Sequence, residues 1–109
     1  MFKALFGSER KGRVLLFLHA HGESYPSEIA RALGYYLNSV QTILAGFERG
    51  GVLYSRLRGK VRLFGLNPRY PFRRELEALL EKALPFVDPA EREKLFTPRL
   101  RPRRTGKPL

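Results

Sequence analysis

Between Asn38 and Leu66 the spacing of the apolar residues changes period once, across Gly50-Gly51. Before the glycines, Val40, Ile43, Leu44 and Phe47 follow the i, i+3, i+4, i+7 rule of one buried helical stripe. After them, "VLYSRL" and "VRLFGL" are β-branched and aromatic, with period two, and enclose "RGK". The pattern predicts two strands of about six residues joined by a three-residue connection containing Gly59, a β-hairpin. A helix running almost directly into a hairpin admits few folds, because the helix must bury its stripe beside the hairpin's base.

The upstream residues supply two further helices. Ser8 is a good N-cap and Gly22 a good stop, so "SERKGRVLLFLHAHG" reads as a first helix over about 9–20, with Val14, Leu15, Leu18 and Phe17 inward and Gly12 a local weakness. In "YPSEIARALG", Pro26 suits the first helical position and Glu28 the third. Ile29, Ala32 and Leu33 form its apolar face, and Gly34 accepts the left-handed conformation that ends it. Downstream, the prolines of "NPRYP" (67–71) break regularity. Leu76, Leu79, Leu80, Ala83 and Leu84 then make one more helical stripe, ended by Pro85, with one or two further turns after Asp88-Pro89.

Charge divides the chain in the same way. Residues 1–72 carry a net +7, residues 73–96 a net −1 and residues 97–109 a net +5, for a total of +11 and a pI near 10.7. Three units are expected: a 1–72 domain of the three helices and the hairpin, a 73–96 helical extension able to dimerise, and a 97–109 basic disordered tail. So basic a chain implies an anionic partner, most often nucleic acid. The chain has no cysteine, which excludes disulfides and zinc fingers. No apolar run reaches membrane-spanning length and "MFKALFGSER" has no signal-peptide pattern, so the expectation is a cytoplasmic, nucleoid-associated protein with no membrane partner.

The order helix, short helix, tight turn, helix, basic hairpin resembles the small winged helix-turn-helix transcriptional regulators of the ArsR/MarR-like group. The resemblance rests on "EIARALG", "SVQTILAGFERGGVLYSR" and "GKVRLFGLNPRYP", and spans about Leu5 to Leu84. "LNPRYPFRRELEALL" is similar to a narrower subgroup in which the wing is followed by LNPxxP and a helix. The implied fold is mainly α with a β-hairpin wing, a winged helix-turn-helix plus a C-terminal helix. The implied function is sequence-specific binding of double-stranded DNA, with the third helix in the major groove and the wing on the backbone or minor groove.

The residues agree with that implication. Opposite the buried stripe of the third helix lie Asn38, Thr42, Ala45 and Arg49, flanked by Ser39 and Gln41. Amides and small hydroxyls near a helix N-terminus are the groups that read base edges, and Ala45 suits a thymine methyl. Tyr36 stands where such regulators commonly carry a Ser, Thr or Asp cap. Either Asn38 caps a shorter helix, and its amide is then occupied, or the helix begins at Leu37 with no side-chain cap. Of the two tyrosines in "GYYLNS", one is expected to pack across the turn and Tyr36 to face outward, where a phenol suits a phosphate. Arg56, Arg58, Lys60 and Arg62 gather on the hairpin, and no acid lies within residues 49–74. Four phosphate contacts there would give a salt slope of about −3.6 per protomer.

An enzyme is not indicated. His19 and His21 are two apart on a helix and point in different directions, and no Gly-rich phosphate loop is present. No cofactor or metal is expected, and the sequence identifies no effector. The Leu76–Leu84 stripe either completes the core or pairs with a second copy in a homodimer, which "MFKALF" could join. Competing readings are a non-specific DNA- or RNA-binding architectural protein and a winged-helix protein–protein adaptor.

Overall fold

Val14, Leu15, Leu16, Phe17 and Leu18 are all buried, so five consecutive residues of one helix face the interior. Only a helix covered on every side accommodates this. In the computed structural model, which describes residues 1–93 and Leu95, that helix is α2 (Glu9–His21). Around it lie α1 (Lys3–Phe6), α3 (Pro26–Leu33), α4 (Leu37–Arg49), the antiparallel strands β1 (Leu53–Arg58) and β2 (Val61–Leu66), and α5 (Arg73–Ala83). A 3-10 turn over Leu84–Phe86 and helical residues 89–93 follow. The expected tail, 97–109, lies outside the described residues.

α2 begins as its sequence predicts, with Ser8 Oγ accepting from the Lys11 N–H, and runs to His21. Gly12 is not a weak point. Phe2 packs against it, and a Cβ built there would lie 2.2 Å from Phe2 Cγ. Glu9 fixes the approach of α1: its Oε1 accepts from the Phe2 N–H at 2.7 Å and the Lys3 N–H at 3.2 Å. A carboxylate there also satisfies the positive end of the short helix.

In α3, Pro26 occupies the first turn. Glu28 does not reach back to close a capping box. Its Oε1 instead accepts from Ser24 Oγ at 2.5 Å, inside the protein. Ser24 also exchanges two backbone hydrogen bonds with Phe64, so the loop before α3 is a short third rung beside β2. Val40 and Leu44 of α4 are fully buried, each contributing about 1.5–3 kcal/mol.

The hairpin is tighter than expected. Arg58 pairs with Val61, leaving a two-residue connection, Gly59-Lys60, rather than three. Gly59 has φ +63° and the φ of Lys60 is not positive, the sign pattern of a type II′ turn, whose twist matches the strands. Asn67 closes the wing's base. Its Nδ2 donates to the Gly51 carbonyl, its Oδ1 accepts from the Arg69 N–H, and its own N–H donates to Val52. α5 packs in cis, with Leu80 and Ala83 buried against the core, as are Val87 and Leu95.

Candidate nucleic-acid interface

α4 begins at Leu37, with Tyr36 as an extended N-cap that makes no side-chain cap. Of the two starts the sequence allowed, the uncapped one is observed, and the Asn38 side chain is not occupied in capping. Asn38, Gln41, Thr42 and Arg49 are exposed, while Ser39 and Ala45 are half-buried. Asn38, Thr42, Ala45 and Arg49 share the face opposite Val40 and Leu44, and Ser39 and Gln41 flank it. One of them is partly committed: Thr42 Oγ1 donates to the Asn38 carbonyl at 2.9 Å, the back-bond of a mid-helix threonine. It retains acceptor capacity and a methyl, but its proton is engaged.

The turn before α4 separates its tyrosines. Gly34 takes φ +74° and lets the chain reverse. Tyr35 turns inward beneath the Arg10 guanidinium, 5.3 Å from its ring centroid, and burial pushes its phenol above the ordinary range. Tyr36 is 82% exposed, beside the unfilled amino end of α4.

The wing differs from its sequence reading in two ways. Residues directly opposite in an antiparallel pair share a face. Arg56 opposes Leu63 and Arg58 opposes Val61, whereas Arg62 opposes Leu57. Arg56 and Arg58 therefore lie on one face and Arg62 on the other, so the three arginines do not form a single row. Arg62 instead donates to Ser55 Oγ, which donates to Glu48 at the end of α4. Second, Arg56 is not a free cation. Its Nε and Nη2 donate to the two oxygens of Glu23 at 2.8 and 2.7 Å, and the Tyr54 hydroxyl donates to the same carboxylate. The Arg56 guanidinium first and the Tyr54 hydroxyl second hold the Glu23 carboxyl at about 2. Burial, then Glu23, push the Tyr54 phenol up to about 12. Glu23 is 33 residues from Arg56 in sequence, beyond any local count of acids. Among the described residues no carboxylate pairs with Arg49, Arg58 or Lys60.

Other chemistry-bearing groups serve packing. His19 Nε2 lies 2.8 Å from Glu81, linking α2 to α5. His21 stacks on Phe17 with ring centroids 4.8 Å apart, and its Nε2 is 3.4 Å from Glu28. Among the described residues no three His, Asp or Glu side chains are placed to hold one metal ion. No described helix is long and apolar enough to cross a membrane. Away from α4 and the wing, Met1, Phe2, Leu5, Leu79, Lys82, Ala83 and Phe86 line an open apolar groove of about 460 Å³. Leu5, Leu79 and Phe86 are exposed along it, so α5 covers the core with Leu80 and Ala83 and leaves Leu79 facing the groove.

No protein-family model and no curated sequence matches the chain. Solved structures do share its architecture. A double mutant of Lactococcus lactis ZitR in apo form is 21% identical, with a TM-score of 0.55 over 78% of this chain and 73% of that one. A single-site ZitR mutant is also 21% identical, with a TM-score of 0.54 over 76% and 64%. The adhesin competence repressor AdcR of Streptococcus pyogenes is 16% identical, with a TM-score of 0.52 over 84% and 78%. At such identities the likeness speaks for the fold alone: the chain is a winged helix-turn-helix protein with an added C-terminal helix.

Proposed function

We propose that this protein is a sequence-specific, double-stranded-DNA-binding transcriptional regulator of the ArsR/MarR-like kind, acting as a cytoplasmic homodimer. The observation that carries the reading is the solvent face of α4. Asn38 and Gln41 present exposed amides in its first two turns, with Ser39, Thr42 and Ala45 beside them and no long acidic side chain among them. A helix presenting such groups fits a major groove about 12 Å wide, where amides pair bidentately with adenine. Tyr36 and the uncapped N–H groups of Leu37, Asn38 and Ser39 suit a phosphate at the helix's positive end. Arg49, Arg58 and Lys60 supply backbone attraction, and Arg62 keeps its charge although it leans on Ser55. With Arg56 held by Glu23, three wing cations remain, and the expected salt slope falls to about −2.7 per protomer.

The groove between α1 and α5 supports the dimer. Its exposed apolar side chains are of the kind a two-fold partner covers, and two reading heads give a small domain a longer site. One structural neighbour is an adhesin competence repressor, which supports a regulatory reading. Gln41→Ala tests the reading by fluorescence anisotropy on a selected duplex and a scrambled one. A base-reading glutamine predicts a loss of about 1–3 kcal/mol of discrimination with scrambled-duplex affinity unchanged. Equal affinities for both duplexes in the parent protein would favour a charge-driven architectural binder, and no binding would favour an adaptor.

A further inference from the structure

Glu23 occupies the loop between Gly22 and Pro26, in a place fixed from two sides. Its neighbour Ser24 is paired through both backbone groups with Phe64 of β2. Across the sheet, the Tyr54 ring lies over Gly65, where a Cβ would come within 2.7 Å of the phenol oxygen. Only a glycine there lets the phenol lie flat and reach Glu23. The carboxylate thus receives three donors, two of them from one guanidinium in fork geometry. The Glu23 side chain is 28% exposed, and Arg56, although 49% exposed, is held along β1. Arg58, one step further along the same face, has no such partner and also acts electrostatically on Glu23.

We propose that Glu23 is a specificity-determining residue that acts through Arg56. By retaining the guanidinium at the base of the wing, it withdraws one cation from sequence-independent attraction to phosphate and braces the wing against the loop that leads into α3. The inference rests on the DNA-binding reading above. A winged helix gains discrimination from α4 and loses it to any charge that binds every sequence alike, because backbone attraction dominates non-specific affinity. A fourth unrestrained wing cation would add most to the affinity for random sequence, which backbone attraction alone supplies, and less to a selected duplex on which α4 already seats the wing. Glu23 holds the count at three while using the fourth to set the angle of Arg58 and Lys60. Tyr54 and Gly65 are the supports of this arrangement, positioned for the carboxylate rather than for DNA.

Glu23→Gln keeps the shape and one of the two acceptor oxygens while deleting the charge. Binding constants of parent and variant are measured on a random-sequence duplex and on a selected duplex, between 50 and 400 mM salt. On the random duplex the variant is expected to steepen the salt slope by about 0.9 per protomer and to bind about eightfold tighter near 0.1 M. The ratio of selected to random affinity should fall. In the double variant Glu23→Gln with Arg56→Gln, the charge balance is restored and the parent slope is expected to return. An unchanged slope in Glu23→Gln overturns the inference, as does a double variant whose slope is shallower than the parent's by about 0.9, since Arg56 would then be an ordinary phosphate contact. The double variant alone keeps the idea testable if the single one fails to fold. A parent protein that binds neither duplex overturns the DNA-binding reading itself, and this inference with it.

Discussion

Replacing Gly12 by alanine should reverse its effect on stability according to what stands at position 2. In the middle of an exposed helix the change stabilises by about 1 kcal/mol, because glycine carries the larger backbone entropy. Here an added Cβ would lie 2.2, 2.3 and 2.5 Å from Cγ, Cβ and Cδ2 of Phe2. Those atoms sit at the root of the side chain, so rotation of the ring cannot relieve the clash and α1 must move bodily by more than 1 Å. The Phe2 side chain is 1% exposed, and loosening it forfeits part of a burial contribution of about 1.5–3 kcal/mol. The overlap itself costs about 1–3 kcal/mol. Set against the helix gain, the expected net loss is about 1–2 kcal/mol, a fall in Tm of about 4–12 °C for a domain of this size. In a Phe2→Ala background the obstacle is gone, and Gly12→Ala should then stabilise by up to about 1 kcal/mol. Urea denaturation of the four proteins forms a double-mutant cycle that reads the coupling directly. A Gly12→Ala protein more stable than its parent with Phe2 present would refute the packing of α1 on α2.

Three other consequences are open to measurement. Asn67→Ala removes two side-chain hydrogen bonds at the wing's base and should cost about 1–2 kcal/mol in urea denaturation; no loss would mean that the wing is held without it. Glu23 has a folded-state pKa of about 2 against an ordinary 4.5, so its contribution is whole above about pH 4.5 and is lost as pH falls through 2. The stability difference between the parent and Glu23→Gln should therefore be constant from pH 5 to 7 and shrink on acidification; a difference that persists unchanged to pH 2 contradicts the pairing. Leu79→Glu places a charge in the apolar groove and should shift sedimentation toward monomer, whereas a parent that is already monomeric would remove the dimer from the account.

The elements that sequence made legible are those whose signal is local. The stripe of α4, the glycines ending α3 and α4, and the period change into the hairpin each lie within a dozen residues, and the structure places them within a residue or two of expectation. The elements it hid depend on distant partners. Leu16 lies outside the apolar stripe read from α2, because residues 14–18 are apolar and buried all round, so no polar position among them marks an inner face. Gly12 reads as a helix weakness until Phe2 is seen against it. The wing's arginines read as one free cluster because no acid lies within residues 49–74, yet Glu23 reaches Arg56 from the loop before α3, and Glu48 at the end of α4 holds the Ser55 hydroxyl to which Arg62 donates. Asn67 reads as a loop residue beside a proline, and its bond to Gly51 appears only when the wing is folded.

Selection of bound duplexes from a random DNA library at near-physiological salt, followed by sequencing, tests the central claim most directly. A dimer that reads bases through α4 predicts an enriched inverted repeat with half-sites about one helical turn apart. A bound pool with no enriched sequence would contradict base reading by Asn38, Gln41 and their neighbours.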